Sequence, residues 1–136
     1  MSSLAVIIVC VLAEQVGREV VSGFAAVSHN PGAAFGLMGG SPGIALVLSG
    51  CACAVILGVI FFGNVRPLTR FGLSVMAGGA LSNLLERIFL GHVIDWIPVM
   101  FMDLRYNLAD VEISLGALIT FIAVNKNSPN EPSGES

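Results

Sequence analysis

The stretch GIALVLSGCACAVILGVIFFG, residues 43–63, runs for 21 residues without a charged side chain. A helix needs about 20 mostly apolar residues to cross the hydrocarbon core of a bilayer. In lipid the backbone must also satisfy its own hydrogen bonds, which favours a helix over an open strand. This segment therefore predicts a membrane-spanning helix, and the rest of the chain is read as a membrane protein around it. The composition agrees. Of 136 residues, 55% are hydrophobic and only 11% charged, and the mean hydropathy is +0.89. A soluble domain carries about 25% charged residues. The length allows one domain. The net charge of −3 comes without a basic block, which excludes a nucleic-acid-binding role.

Three further apolar segments flank the first. One covers about 4–24, wholly apolar in its first half but carrying Glu14, Gln15, Arg18 and Glu19 in its second. Another covers about 71–90 and is interrupted by Asn83, Glu86 and Arg87. The last covers about 109–125. The expected class is an all-α membrane protein with four transmembrane helices and a small extracytoplasmic β/loop region. Residues 1–125 would form the membrane domain, and residues 126–136, NKNSPNEPSGES less its first Asn, a disordered polar tail facing the cytoplasm. The N-terminal run has no Lys or Arg before it and reads as a retained helix rather than a cleaved leader.

The connections differ in character. SHNPGAAFGLMGGSPG (28–43) is rich in Gly and Pro and predicts a shaped loop. HVIDWIPV (92–99) is β-branched and partly alternating, which suits a short strand or an interfacial segment. Counting cations beside the spans gives Arg66, Arg70 and Lys126 on one side. Arg105 lies on the other, once Arg18 and Arg87 are set aside as site candidates. Both termini then face the cytoplasm. Cys10, Cys51 and Cys53 all lie in apolar runs and read as small buried hydrophobes. Cys51 and Cys53 are two apart and point to different helix faces, so they make no joint metal site. LSGC (48–51) is similar to a lipoprotein cleavage box, but it lies too far from the N-terminus to serve as one.

Ionisable residues inside membrane segments are functional candidates by default. Glu14 and Arg18 stand at i, i+4 and are expected to pair on one face. Gly79, Asn83 and Glu86 form a stripe with Arg87 beside it, suited equally to interhelical hydrogen bonding. Asp95 and Asp110 flank the third connection, where spans meet the outer face. Singly, Asp110 reads as a helix N-cap and Asp95 as a solvated loop carboxylate. Together they form a candidate dyad, one holding a proton while the other activates water.

Three boxes in order, HNPGAAFG (29–36), GGALSNLLERIFLGHVIDW (78–96) and YNLADVEIS (106–114), resemble the lipoprotein signal peptidases, signal peptidase II. The resemblance spans nearly the whole chain apart from its tail. It implies a four-helix bacterial inner-membrane aspartyl protease with its active site at the outer face. Such an enzyme cleaves the signal peptide of a prolipoprotein just before the diacylglyceryl-modified cysteine. It implies Asp95 and Asp110 as the catalytic pair. Asn30, Asn83, Arg87 and Asn107 would be substrate-binding or supporting residues, with Glu14, Arg18 and Glu86 holding the helices. It also implies no metal or organic cofactor, membrane lipids as surroundings and sensitivity to a globomycin-type inhibitor. The chain departs from the family at Glu14 and Glu86, where Asp is usual, and at Arg18, where Lys is usual. It departs again at Ser82 for Gly and Tyr106 for Phe. Two other readings stand beside the enzyme. One is a catalytically impaired paralogue that binds lipoprotein precursors or acts as a helix-bundle partner. The other is a small ion carrier using Glu14, Glu86 and Asp110.

Overall fold

In a computed structural model, which describes residues 2–32, 41–102 and 104–126, the chain folds as four long helices and two small sheets. Helices α1 (Ser3–Ser22), α2 (Pro42–Phe62), α3 (Pro67–Leu90) and α4 (Leu108–Asn125) match the expected segments with shifted ends. The largest shift is in α3, which starts at Pro67 rather than near Phe71. Proline at the first helical position gives up an N–H that has no partner there anyway, so the helix takes in PLTR. The connection left between α2 and α3 is very short. Arg70 reaches back across it to donate to the carbonyls of Ile60 and Gly63, closing the C-terminus of α2. The expected tail lies outside the described residues from 127 onward.

Helix α3 is the hub and packs against the other three helices, most extensively against α4. Backbones touch at that crossing. A Cβ on Gly116 would sit 2.5 Å from the Met76 nitrogen and 2.6 Å from the Gly72 carbonyl oxygen. On the opposite side Ile7, Ile56, Ile60, Leu73 and Ala77 form an apolar cluster joining α1, α2 and α3.

Polarity runs inside out. Glu14, Asn83, Glu86 and Glu112 are buried, while Leu4, Val9, Leu12, Val16 and Val20 of α1 face outward. By length and composition α2, α3 and α4 are each able to cross a membrane. Helix α1 is not among these, because Glu14, Arg18 and Glu19 fall within its length.

The 92–106 connection contains strands rather than a helix. Strand β2 (Val93–Asp95) pairs antiparallel with β1 (Ser28–Asn30), with Ser28 opposite Asp95 and Asn30 opposite Val93. Strand β3 (Ile97–Pro98) pairs with β4 (Arg105–Tyr106), Ile97 opposite Tyr106. Gly91 ends α3 with φ at +77°, a left-handed turn that suits glycine and swings the chain into β2.

Candidate active site

The two sheets carry Asp95 back to the first turn of α4. Asp95 is the last residue of β2 and only 6% exposed. Asp110 lies in the first turn of α4. The helix cap expected of Asp110 belongs instead to Asn107, whose side-chain oxygen accepts from the Asp110 N–H at 2.8 Å. Asn is as good a cap as Asp, and its amide leaves two donors free for other work.

Those donors join the two halves of the site. The Asn107 Nδ2 donates to Asp95 Oδ1 and to Asn83 Oδ1, each at 3.1 Å. Asn83 Nδ2 in turn donates to Asp110 Oδ1 at 3.1 Å. Asn30 Nδ2 donates to the other Asp95 oxygen at 3.2 Å. Asn30, Asn83, Arg87, Val93, Asp95, Asn107 and Asp110 enclose a cavity of about 50 Å³. One buried water needs only about 10–15 Å³ of such space. A second cavity of about 220 Å³ shares Asn83, Arg87 and Asp110 and continues along Ser49, Ala52, Ala80 and Ile113 between α2, α3 and α4.

Burial pushes the Asp95 carboxyl up to about 6 from its ordinary 3.8. The Asn30 amide opposes this, the charge of Asp110 adds to it, and the Asn107 amide opposes it again. A buried carboxyl beside a second carboxyl is the combination that retains a proton near neutral pH.

A second layer fixes this cavity. The expected Glu14–Arg18 pair does not form. Arg18 instead reaches α3, where its Nη1 meets Glu86 Oε1 at 2.6 Å. The other Glu86 oxygen accepts the Ile94 N–H at 2.8 Å, so it holds the residue before Asp95. Glu14, 1% exposed, accepts from Trp96 Nε1 at 2.8 Å and from the Ala109 N–H at 3.0 Å. Trp96 follows Asp95 and Ala109 precedes Asp110, so one carboxylate steadies both neighbours. Glu14 and Glu86 thus each use both carboxylate oxygens. Arg87 donates to the carbonyls of Asn83 and Gly32, each at 3.1 Å, tying α3 to the chain just after β1.

All nine residues singled out in the sequence thus gather around one centre. Trp96 and Gly17 were missed. The indole lies against Gly17, where a Cβ would stand 3.0 Å from two of its ring carbons. The signal was available, since Glu14 and Gly17 share a face of α1 at i, i+3 and Trp96 is the chain's one tryptophan. Glu112 is buried with one oxygen unpartnered, and its carboxyl meets the Cys10 thiol of α1.

The chain matches the family model for signal peptidase (SPase) II over residues 5–126. It is 36% identical over 115 residues to the lipoprotein signal peptidase of Cellvibrio japonicus, covering 79% of this chain and 67% of that protein. It is 40% identical over 96 residues to that of Moorella thermoacetica, covering 67% of this chain and 61% of the relative. With the lipoprotein signal peptidase of Symbiobacterium thermophilum it shares 29% identity across 90% of this chain and 93% of the other. A bacterial membrane enzyme solved by the in meso method at 2.3 Å resolution has the same fold, with a TM-score of 0.80 at 19% identity. That match covers 98% of this chain and 93% of the other. The family match over nearly the full length, the curated relatives and the shared fold together make this chain a member of the signal peptidase II family.

Proposed function

We propose that this protein is an intramembrane aspartyl endopeptidase that removes the signal peptide of diacylglyceryl-modified prolipoproteins just before the lipidated cysteine, with Asp95 and Asp110 as its catalytic pair. The observation that carries the reading is Asn107. Its amide bonds Asp95 while its carbonyl oxygen caps the helix turn that holds Asp110, and both aspartates line the same water-sized cavity.

Asp95, with its raised proton affinity, is the protonated partner and polarises the scissile carbonyl. Asp110, at a helix N-terminus that favours negative charge, takes a proton from the water between them. The water oxygen bonds to the carbonyl carbon. The tetrahedral intermediate then expels the amine, which leaves with a proton returned by Asp110. The Asn30 and Asn83 amides hold the two carboxyls in register, and Arg87 holds the chain after Asn30.

Residues 1–125 form the membrane domain, and α1 is the fourth span. Its buried Glu14 and Arg18 find partners inside the bundle while its outer face is apolar, which supports a lipid surrounding. The strands and the dyad then lie at the outer face of the bacterial inner membrane, with both termini cytoplasmic. The cavity between α2, α3 and α4 reaches Asp110 and suits lateral entry of the lipobox peptide from the bilayer.

The test is cleavage of a lipidated preprolipoprotein by purified protein, with and without globomycin. Wild type should cut, globomycin should block it, and Asp95→Asn and Asp110→Asn should each abolish it while remaining folded. Wild-type turnover by either variant would remove that aspartate from the mechanism. A folded wild-type chain that binds the precursor without cutting it would favour the impaired paralogue instead.

A further inference from the structure

The chain has two histidines, 63 residues apart in sequence, and the fold brings them together. The rings of His29 and His92 meet edge to face, with centroids 4.7 Å apart and planes at 81°. His29 lies on β1 beside Asn30, and His92 enters β2 three residues before Asp95. The antiparallel register sets His29 opposite Ile94, so the imidazoles are diagonal neighbours across the strand pair that holds the Asn30–Asp95 bond. His29 is exposed and His92 half-buried. Among the described residues neither imidazole has a hydrogen-bond or ion-pair partner, so their ring nitrogens are uncommitted.

We propose that His29 and His92 form a binding site for a divalent transition-metal cation of the Zn²⁺, Ni²⁺ and Cu²⁺ class, separate from the aspartate dyad. Imidazole nitrogen is the donor these ions favour, whereas Mg²⁺ and Ca²⁺ take oxygen. Two nitrogens bound to one tetrahedral cation at about 2.0–2.1 Å each stand about 3.4 Å apart. The ring centroids already stand 4.7 Å apart, so the approach this requires is on the scale of side-chain rotation. Among the described residues no third His, Cys, Asp or Glu joins them, so water fills the remaining positions and the site stays open to exchange. A bound cation crosslinks β1 to β2, and so stiffens the strand pair that carries Asn30 and Asp95. The site stands on the histidine pair alone and does not depend on the peptidase reading.

Trp96, the chain's one tryptophan, serves as reporter, four residues beyond His92 and so about 13 Å away along extended chain. The experiment titrates the full chain, purified in detergent through a tag that contains no histidine, with Ni²⁺ while indole fluorescence is recorded. Saturable quenching, displaced by Zn²⁺ but not by Mg²⁺ and reversed by EDTA, is expected. His29→Gln and His92→Gln should each weaken binding by about tenfold or more, since even loss of an outer-shell partner costs about 10–100-fold. Ni²⁺ should raise the melting temperature of wild type but of neither variant. Quenching that fails to saturate, that Mg²⁺ displaces as well as Zn²⁺ does, or that persists unchanged in both variants would overturn the site.

Discussion

Asn107→Ser separates the two tasks of the residue that links the dyad. Asn107 is 1% exposed, its oxygen capping α4 at Asp110 and its amide nitrogen serving Asp95 and Asn83. Serine is a comparable cap, so the cap contribution of about 1 kcal/mol is retained. What is lost is the amide donor. With Asp95 protonated and Asn83 neutral, a hydrogen bond of this kind is worth about 0.5–1.5 kcal/mol, and a barrier change of 1.36 kcal/mol is tenfold in rate. The expected loss in kcat/KM is therefore about 2- to 13-fold, with the helix intact. Asn107→Ala removes the cap as well and should melt about 1 kcal/mol lower than the serine variant. The pH profile gives a second, signed readout. The Asn107 amide holds the Asp95 value down, so without it the carboxyl keeps its proton to higher pH. The alkaline limb of kcat/KM, which reports loss of that proton, should move upward in the serine variant, as an apparent value of the coupled pair. The assay is cleavage of a lipidated precursor in mixed micelles across pH 5 to 9, with thermal unfolding in parallel. A serine variant with wild-type kcat/KM and an unmoved alkaline limb would refute the linking role.

Other outcomes follow from the same contacts. The folded-state value of Asp95, about 6 against an ordinary 3.8, means the folded state holds this proton more tightly than the unfolded chain. The associated stability is present below pH ~4 and lost as pH rises through ~6. Asp95→Asn should accordingly gain in melting temperature relative to wild type as pH goes from 4 to 8, while remaining inactive; a pH-independent difference would contradict the burial argument. Removing Arg18 leaves Glu86, whose side chain is 3% exposed, as an unpaired buried charge. Arg18→Gln should then cost about 3–5 kcal/mol, and adding Glu86→Gln should recover part of it in a double-mutant cycle. Gly116→Ala forces a methyl group against the α3 backbone and should lower stability by about 1–3 kcal/mol or more, read by thermal unfolding in detergent.

Residues 43–63 and the overall scarcity of charge determined the membrane class, because a long uncharged run has few other uses and the bilayer sets its length. The quoted boxes likewise identified the family and singled out candidate site residues, since types at fixed spacing are properties of the linear chain. Partners are not. Glu14 and Arg18 stand one turn apart and invite pairing, yet α3 packs close enough for Glu86 to capture the guanidinium, while Trp96 and the Ala109 N–H take both Glu14 oxygens. Asp110 reads as a cap until α4 is seen to start one turn earlier, at Asn107. The meeting of His29 with His92 depends on the register of β1 against β2, and strands of three residues leave almost no periodic trace. Local spacing therefore decided the elements and the candidate residues. Which side chain holds which was decided by tertiary packing, because a buried polar group bonds the nearest complementary atom in space, whatever its distance along the chain.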